Sequence, residues 1–218
     1  MGESEREPED REPEAEASPS TRAKILETAE SLFARFGFAG VGMRAVADSV
    51  GVSKSALFHH FPTKRALWAA VLERSMLEFD RRIAAADTTG GALERMRLSI
   101  EAVIDSLVEN PSRAPLLLRS LFEVEDEEPV DAPAREVLSR VLGRVAAGLE
   151  AGIASGEIRP VSVPHTLQSL IGLTVFHFAS GDFGEDLLGA PVYSAAEIRR
   201  RKDHVIGFME RALRAQQD

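Results

Sequence analysis

The sequence predicts an all-α protein in two parts: a small N-terminal head of three helices and a larger helical domain behind it. Three observations carry that expectation. Apolar residues recur with helical period from Ser20 to the end, a stretch in which alternating strand patterns are missing. A short helix–turn–helix spacing lies at Met43 to Phe61, MRAVADSVGVSKSALFHHF. Formal charge is also segregated. Residues 1–20 hold eight acids and two arginines (−6), whereas residues 21–75 hold eight bases and four acids (+4), leaving −7 for the remainder of a chain whose total is −9. The local sign, not the total, decides whether a surface attracts phosphate.

Residues 1–20 are Glu, Pro and Ser with almost nothing apolar, which predicts a disordered acidic tail. It reads either as a solubilising extension or as a segment that competes with DNA for the basic face. Ile25, Leu26, Ala29, Leu32, Phe33 and Phe36 then form an amphipathic stripe, with Ser20 or Thr21 as its cap and Gly37 to end it in the left-handed conformation. Further helices are expected near 43–50, 54–60, 64–85, 91–109, 113–123, 132–154, 164–180 and 195–215. Separators are Gly90-Gly91, Asn110-Pro111, the acidic run Glu123 to Pro129, Gly156 to Pro160 and Gly181 to Ser194. The helix at 64–85 is the natural joint. The expected division is a head at residues 21–66 and a larger helical domain at residues 67–218.

The motif at 43–61 is specific because of its spacing. Met43, Val46, Ala47 and Val50 form one apolar face, and Ala47 lets two helices approach. Gly51 permits the positive φ of a tight turn. Val52 fills the corner, Ser53 caps the next helix, and Leu57 and Phe61 anchor it from below. This small–Gly–apolar arrangement is that of a DNA-binding helix-turn-helix. The second helix would expose Lys54, Ser55, Phe58, His59 and His60, its first residues facing base edges.

Thr21 to Glu73 resembles the DNA-binding domain of the TetR (tetracycline repressor) family: ILETAESLFARFGFAG, then MRAVADSVGVSKSALFHHF, then PTKRALW follow the family's pattern in order and without a gap. The resemblance implies a homodimer that places its third helices in the major groove of a partly palindromic double-stranded operator. It assigns groove-reading roles to Lys54, Ser55 and His59, and phosphate contacts to Arg22, Ser53, His60 and Lys64, with Arg44 joining them. Arg22 also reads as an ordinary surface arginine. Two positions depart from the pattern: Gly42 stands where the family usually has a capping Thr, and Phe58 where it usually has a Tyr whose hydroxyl meets phosphate.

Behind the head, Leu138, Val141, Leu142, Val145, Leu149 and Ile153 make a helical stripe beside Gly148 and Gly152. Those glycines either admit a neighbouring helix or ligand or mark a loosely built helix. Helix 164–180 is apolar nearly all round and must be buried on more than one side. The resemblance implies that helices 164–180 and 195–215 form a four-helix bundle with their copies in a partner subunit. It also implies a cavity among the middle helices for a small-molecule effector, and the aromatic and Met content there points to an apolar one. Candidates to line it are Trp68, Leu72, Met76, Met96, Ile100, Leu117, Phe122, Phe176 and His177, for each of which plain core packing is the competing reading.

Other signals are weak. His59 and His60, being adjacent on a helix, diverge by about 100° and do not chelate together, so no metal or cofactor is expected. Asp182-Phe183-Gly184 matches a kinase tripeptide without its companion loops, and Gly37, Gly40 and Gly42 do not make a dinucleotide loop. No catalysis is expected. The absence of cysteine and the lack of a basic-then-apolar leader fit a cytoplasmic protein. The longest strongly apolar stretch, Leu170 to Ala179, is far short of the roughly 20 residues a membrane span needs, so no membrane partner is expected. Two rival readings are a regulator that needs no effector and a helical ligand-binding or enzymatic protein without DNA affinity.

Overall fold

The computed structural model describes residues 20–86, 90–122 and 132–215; the acidic tail and the acidic run after Phe122 lie outside these. Ten helices occur among the described residues: α1 (Thr21–Gly40), α2 (Met43–Val50), α3 (Lys54–His60), α4 (Lys64–Ala86), α5 (Ala92–Glu109), α6 (Arg113–Phe122), α7 (Ala132–Ala154), α8 (Val163–Ala179), α9 (Gly181–Leu188) and α10 (Ala195–Leu213). There is no strand among them, only an isolated bridge between Ile158 and Arg214. The all-α class is therefore as the sequence predicts.

α1 begins where its cap places it, with Ser20 Oγ accepting from the Ala23 amide at 3.2 Å. Its apolar stripe buries Ile25, Leu26, Ala29 and Phe33. Phe36, counted on that stripe, is half exposed. Gly37 does not end the helix. It takes φ 71°, ψ 174°, which kinks the chain, and a further helical turn runs to Gly40. The extra turn brings Phe38 beside Phe33 and Trp68, whose ring meets Phe33 edge-on at 5.0 Å and Phe38 at 5.7 Å. This aromatic cluster fastens α1 to the beginning of α4.

α4 is the longest connecting element, about 35 Å at 1.5 Å per residue. Its first turns pack on α1, while Met76, Phe79 and Ile83, in the same continuous core, face α5, α7 and α8. The start of α5 is capped from a distance: both carboxylate oxygens of Glu157 accept from α5, at 2.6 Å from the Ala92 amide and 3.0 Å from Leu93. A negative side chain there meets unpaired N–H groups and the positive end of the helix dipole.

The segment from Gly181 to Ser194, expected to be a separator, contains α9. Three glycines hid it, and one of them is required by packing: a Cβ on buried Gly184 would lie 2.0 Å from Ser180 Oγ. Gly189 ends the helix in the left-handed region at φ 65°.

Candidate nucleic-acid interface and effector cavity

The turn between α2 and α3 has the geometry its sequence demands. Gly51 adopts φ 80°, ψ 31°, and the amides of Gly51 and Val52 both donate to the Ala47 carbonyl at 3.0 Å. Ser53 Oγ accepts from the Ala56 amide at 3.2 Å and lies 3.0 Å from Ser55 Oγ. Val46, Ala47, Leu57 and Phe61 are buried beneath, so α3 is pinned by its inner face.

Its outer face carries Lys54, Ser55, Phe58 and His59, all exposed, with His60 half-buried. Lys54 Nζ lies 5.6 Å from the Phe58 ring centre. Arg22, exposed at the start of α1, sets its guanidinium 5.1 Å from the Phe61 ring, next to the end of α3. Arg44 pairs loosely with Asp48 at 3.8 Å, both well exposed. Lys64 is folded against the extra turn of α1, 4.3 Å from the Phe38 ring and 3.4 Å from the Ala39 carbonyl. Thr63 caps α4 through the Ala66 amide at 3.0 Å.

A cavity of about 170 Å³ lies among α4, α5, α6, α7 and α8. Of the residues singled out from sequence, Met76, Met96, Ile100 and Leu117 line it. Trp68 and Leu72 are buried elsewhere, one to two turns nearer the N-terminus of α4. Phe176 points outward and is 53% exposed. The side chain of Phe122 is outside the described residues. Sequence reading missed the wall given by α7 and α8, including Leu138, Val145, Leu167 and Ile171. Their helical stripes were visible, but periodicity reports that a face is covered, not whether it meets core or void.

His177 is buried away from the cavity, beneath α10. Its Nε2 has no hydrogen-bond partner, and its ring meets Phe178 edge-on at 4.8 Å. Burial, reinforced by the Arg201 charge and opposed by Glu197, holds its pKa down at about 4, so it is neutral at physiological pH. Arg201 Nη2 donates to the Leu173 carbonyl at 2.5 Å, joining α10 to α8.

α6 touches both regions. Leu117 and Ser120 line the cavity, while the guanidinium of Arg119 donates to the carbonyls of Ala34 at 3.1 Å and Arg35 at 3.3 Å on α1.

A left-handed turn glycine, a capped second helix and an exposed basic face on that helix define a DNA-binding helix-turn-helix protein. Residues 25–71 match the family model of bacterial regulatory proteins, tetR family. It is 29% identical over 85% of its length to the HTH-type transcriptional repressor SCO4008 of Streptomyces coelicolor, covering 95% of that protein. Its fold is that of AibR, solved in complex with isovaleryl coenzyme A and operator DNA (TM-score 0.72, 19% identity, 87% of this chain and 97% of that one). It is likewise that of FadR from Bacillus subtilis in complex with stearoyl-CoA (TM-score 0.70, 17% identity, 87% and 97%). No helix among the described residues is long and apolar enough to cross a membrane.

Proposed function

We propose that the protein is a dimeric cytoplasmic repressor, released from its operator by a largely apolar small molecule bound among α4 to α8. In this reading residues 21–66 are the DNA-binding domain and residues 67–218 the effector and dimerisation domain. Lys54, Ser55 and His59 read the groove. Arg22, Arg44, Ser53, His60 and Lys64 hold the phosphates, and Phe58 packs against them. The AibR and FadR complexes named above, each with an acyl-coenzyme A, support an effector site in this fold. The repressor name of SCO4008 supports the direction of control.

The observation that carries the reading is α6. It lines the cavity with one face and grips the α1 backbone through Arg119, so a ligand that displaces it changes the head that holds α3. The outward Phe176 of α8 and Phe208 of α10 support a partner subunit at these helices, because each leaves a large apolar side chain exposed. A ligand acts only through a difference in affinity between the DNA-competent and splayed dimers.

The test is binding of the full chain to the intergenic DNA upstream of its own gene, against a scrambled duplex, across a salt series and with candidate effectors. One dimer per site, weakening with salt and released by ligand, is the expected result. Equal affinity with and without every ligand would overturn effector control, and equal weak binding to both duplexes would overturn this DNA as the operator.

A further inference from the structure

The apolar cavity does not stand alone. A recess of about 30 Å³ adjoins it between the end of α4, the first turns of α5 and the middle of α7, and shares Ile83, Met96, Ser99 and Val145 with it as walls. The two spaces differ in chemistry. The cavity has three polar side chains and no charge. Two of its hydroxyls are already committed, Thr174 donating to the Leu170 carbonyl and Ser120 to the Leu117 carbonyl, both at 2.8 Å. An ionised group held there would be an uncompensated buried charge.

The recess, by contrast, is flanked by Arg95 and Arg144. Arg95 and Ser99 are four apart and share a face of α5. The Ser99 hydroxyl borders both spaces and has no hydrogen-bond partner among the described residues. Arg144 comes from α7, where it and Arg140 share one carboxylate, Asp80, at 3.4 Å and 3.6 Å. Arg140 also has Glu136 at 3.9 Å, so Arg144 shares Asp80 with a neighbour that has a second acid of its own. Arg95 Nη1 donates to the Gly90 carbonyl at 2.5 Å, which anchors its guanidinium at the start of α5 beside the recess.

We propose that the effector is an amphipathic anion whose apolar chain occupies the cavity and whose carboxylate or phosphate headgroup is held in the recess by Arg95, Ser99 and Arg144. This rests on reading the cavity as the effector site. A cavity of about 150 Å³ is enough to take up benzene, so one of this size suits a short to medium chain. Gly148 keeps the recess open: a Cβ there meets nothing within 4 Å. A larger residue at this position fills the recess rather than colliding with the fold, and it raises helix propensity.

The test is calorimetric titration of the full chain with octanoate, octyl phosphate and octan-1-ol. At least one anion is expected to bind about tenfold or more tightly than the alcohol, and the better anion names the headgroup. Arg95→Met and Arg144→Met should each remove most of that advantage while leaving the alcohol unchanged, Arg144→Lys should keep most of it, and Gly148→Leu should remove it. If octanol binds as tightly as both anions and ignores the arginine substitutions, the headgroup inference falls and the apolar effector site stands. If Arg144→Lys loses as much as Arg144→Met, the arginine acts by packing and the assignment falls. If none of the three ligands binds, the inference and the effector reading fall together.

Discussion

Asn110 Nδ2 donates to Glu30 Oε1 at 2.9 Å, tying the turn after α5 to the middle of α1. The Glu30 carboxylate is almost wholly buried, and it also receives the Arg74 guanidinium and lies 3.5 Å from Ser75 Oγ on α4 and 4.0 Å from Arg113 Nε on α6. Four elements therefore meet on one charge. Removing it takes from Arg74 and Arg113 the buried carboxylate they share. Glu30→Ala should cost about 3 kcal/mol in denaturant unfolding, in the range for breaking a buried pair by deleting one partner. Glu30→Gln, which keeps the Asn110 geometry, should cost less. A loss below about 1 kcal/mol for Glu30→Ala would show that water replaces the carboxylate.

The two departures from the family pattern in the head should be reversible. Phe58 lies on the outer face of α3 beside Lys54, 37% exposed. Phe58→Tyr adds a hydroxyl at the rim of that face, and one further phosphate hydrogen bond is worth about 1 kcal/mol, or roughly fivefold in operator affinity. Gly42 caps α2 with extended backbone at φ −99°, ψ 144°, makes no side-chain capping bond and has free space where a Cβ would stand. Gly42→Thr should add a few tenths of a kcal/mol of stability. Fluorescence anisotropy with an operator duplex reads the first, and an unchanged Kd would place Phe58 off the DNA backbone.

The head was legible in the sequence because its determinants are local. Gly51, Ser53 and Leu57 each specify a conformation or contact within six residues, and the structure has all three. The larger domain was legible only in outline. Met76 and Trp68 both read as apolar members of one helix, yet eight residues separate them by about 12 Å, enough to put one in the cavity and the other in the aromatic cluster on α1. α9 escaped because Gly181, Gly184 and Gly189 lower helix propensity, although the close approach of Ser180, the helix's own N-cap, needs the second of them. Arg95 and Arg144 carried no signal, since an arginine beside a recess and one on an open face look alike in one dimension.

Phe176 tests the dimer. It projects from α8 one turn beyond exposed Gly172, which presents no side chain and lets another helix come close. Phe176→Glu places a charge where a partner's apolar surface would desolvate it. Sedimentation should show monomer at micromolar concentration, and operator affinity should fall at least tenfold because two half-sites are no longer held together. A dimer of unchanged stability would move the interface away from this face of α8.

Gly148 and Gly152 sit one turn apart on α7 and should respond oppositely to the same change. A Cβ on Gly152 would lie 2.6 Å from both Ala92 Cβ and Ile158 Cδ1, so this glycine lets α7 close on α5. Gly152→Ala should therefore cost about 1–3 kcal/mol by overpacking. Gly148→Ala meets open space and should gain up to about 1 kcal/mol from helix propensity. Thermal unfolding compares them directly, and equal shifts would mean that the α5–α7 contact adjusts freely.

His177 makes stability depend on pH in a window fixed by burial. In the fold it titrates at about 4, against 6.5 for the free side chain, because protonation would place a cation in a desolvated site facing Arg201, with only Glu197 to favour it. Between those two values the unfolded chain binds a proton that the native chain refuses. The fold is therefore at full strength above about pH 6.5 and weakens as pH falls toward 4, by about 1–2 kcal/mol at pH 5. His177→Gln removes the titration while keeping a polar side chain of similar length. Its Tm should fall less than the parent's between pH 7 and pH 5, at equal protein concentration. Parallel curves would mean that His177 takes up its proton in the folded protein as readily as in the unfolded one, through a rearrangement that brings Glu197 to its unpartnered Nε2.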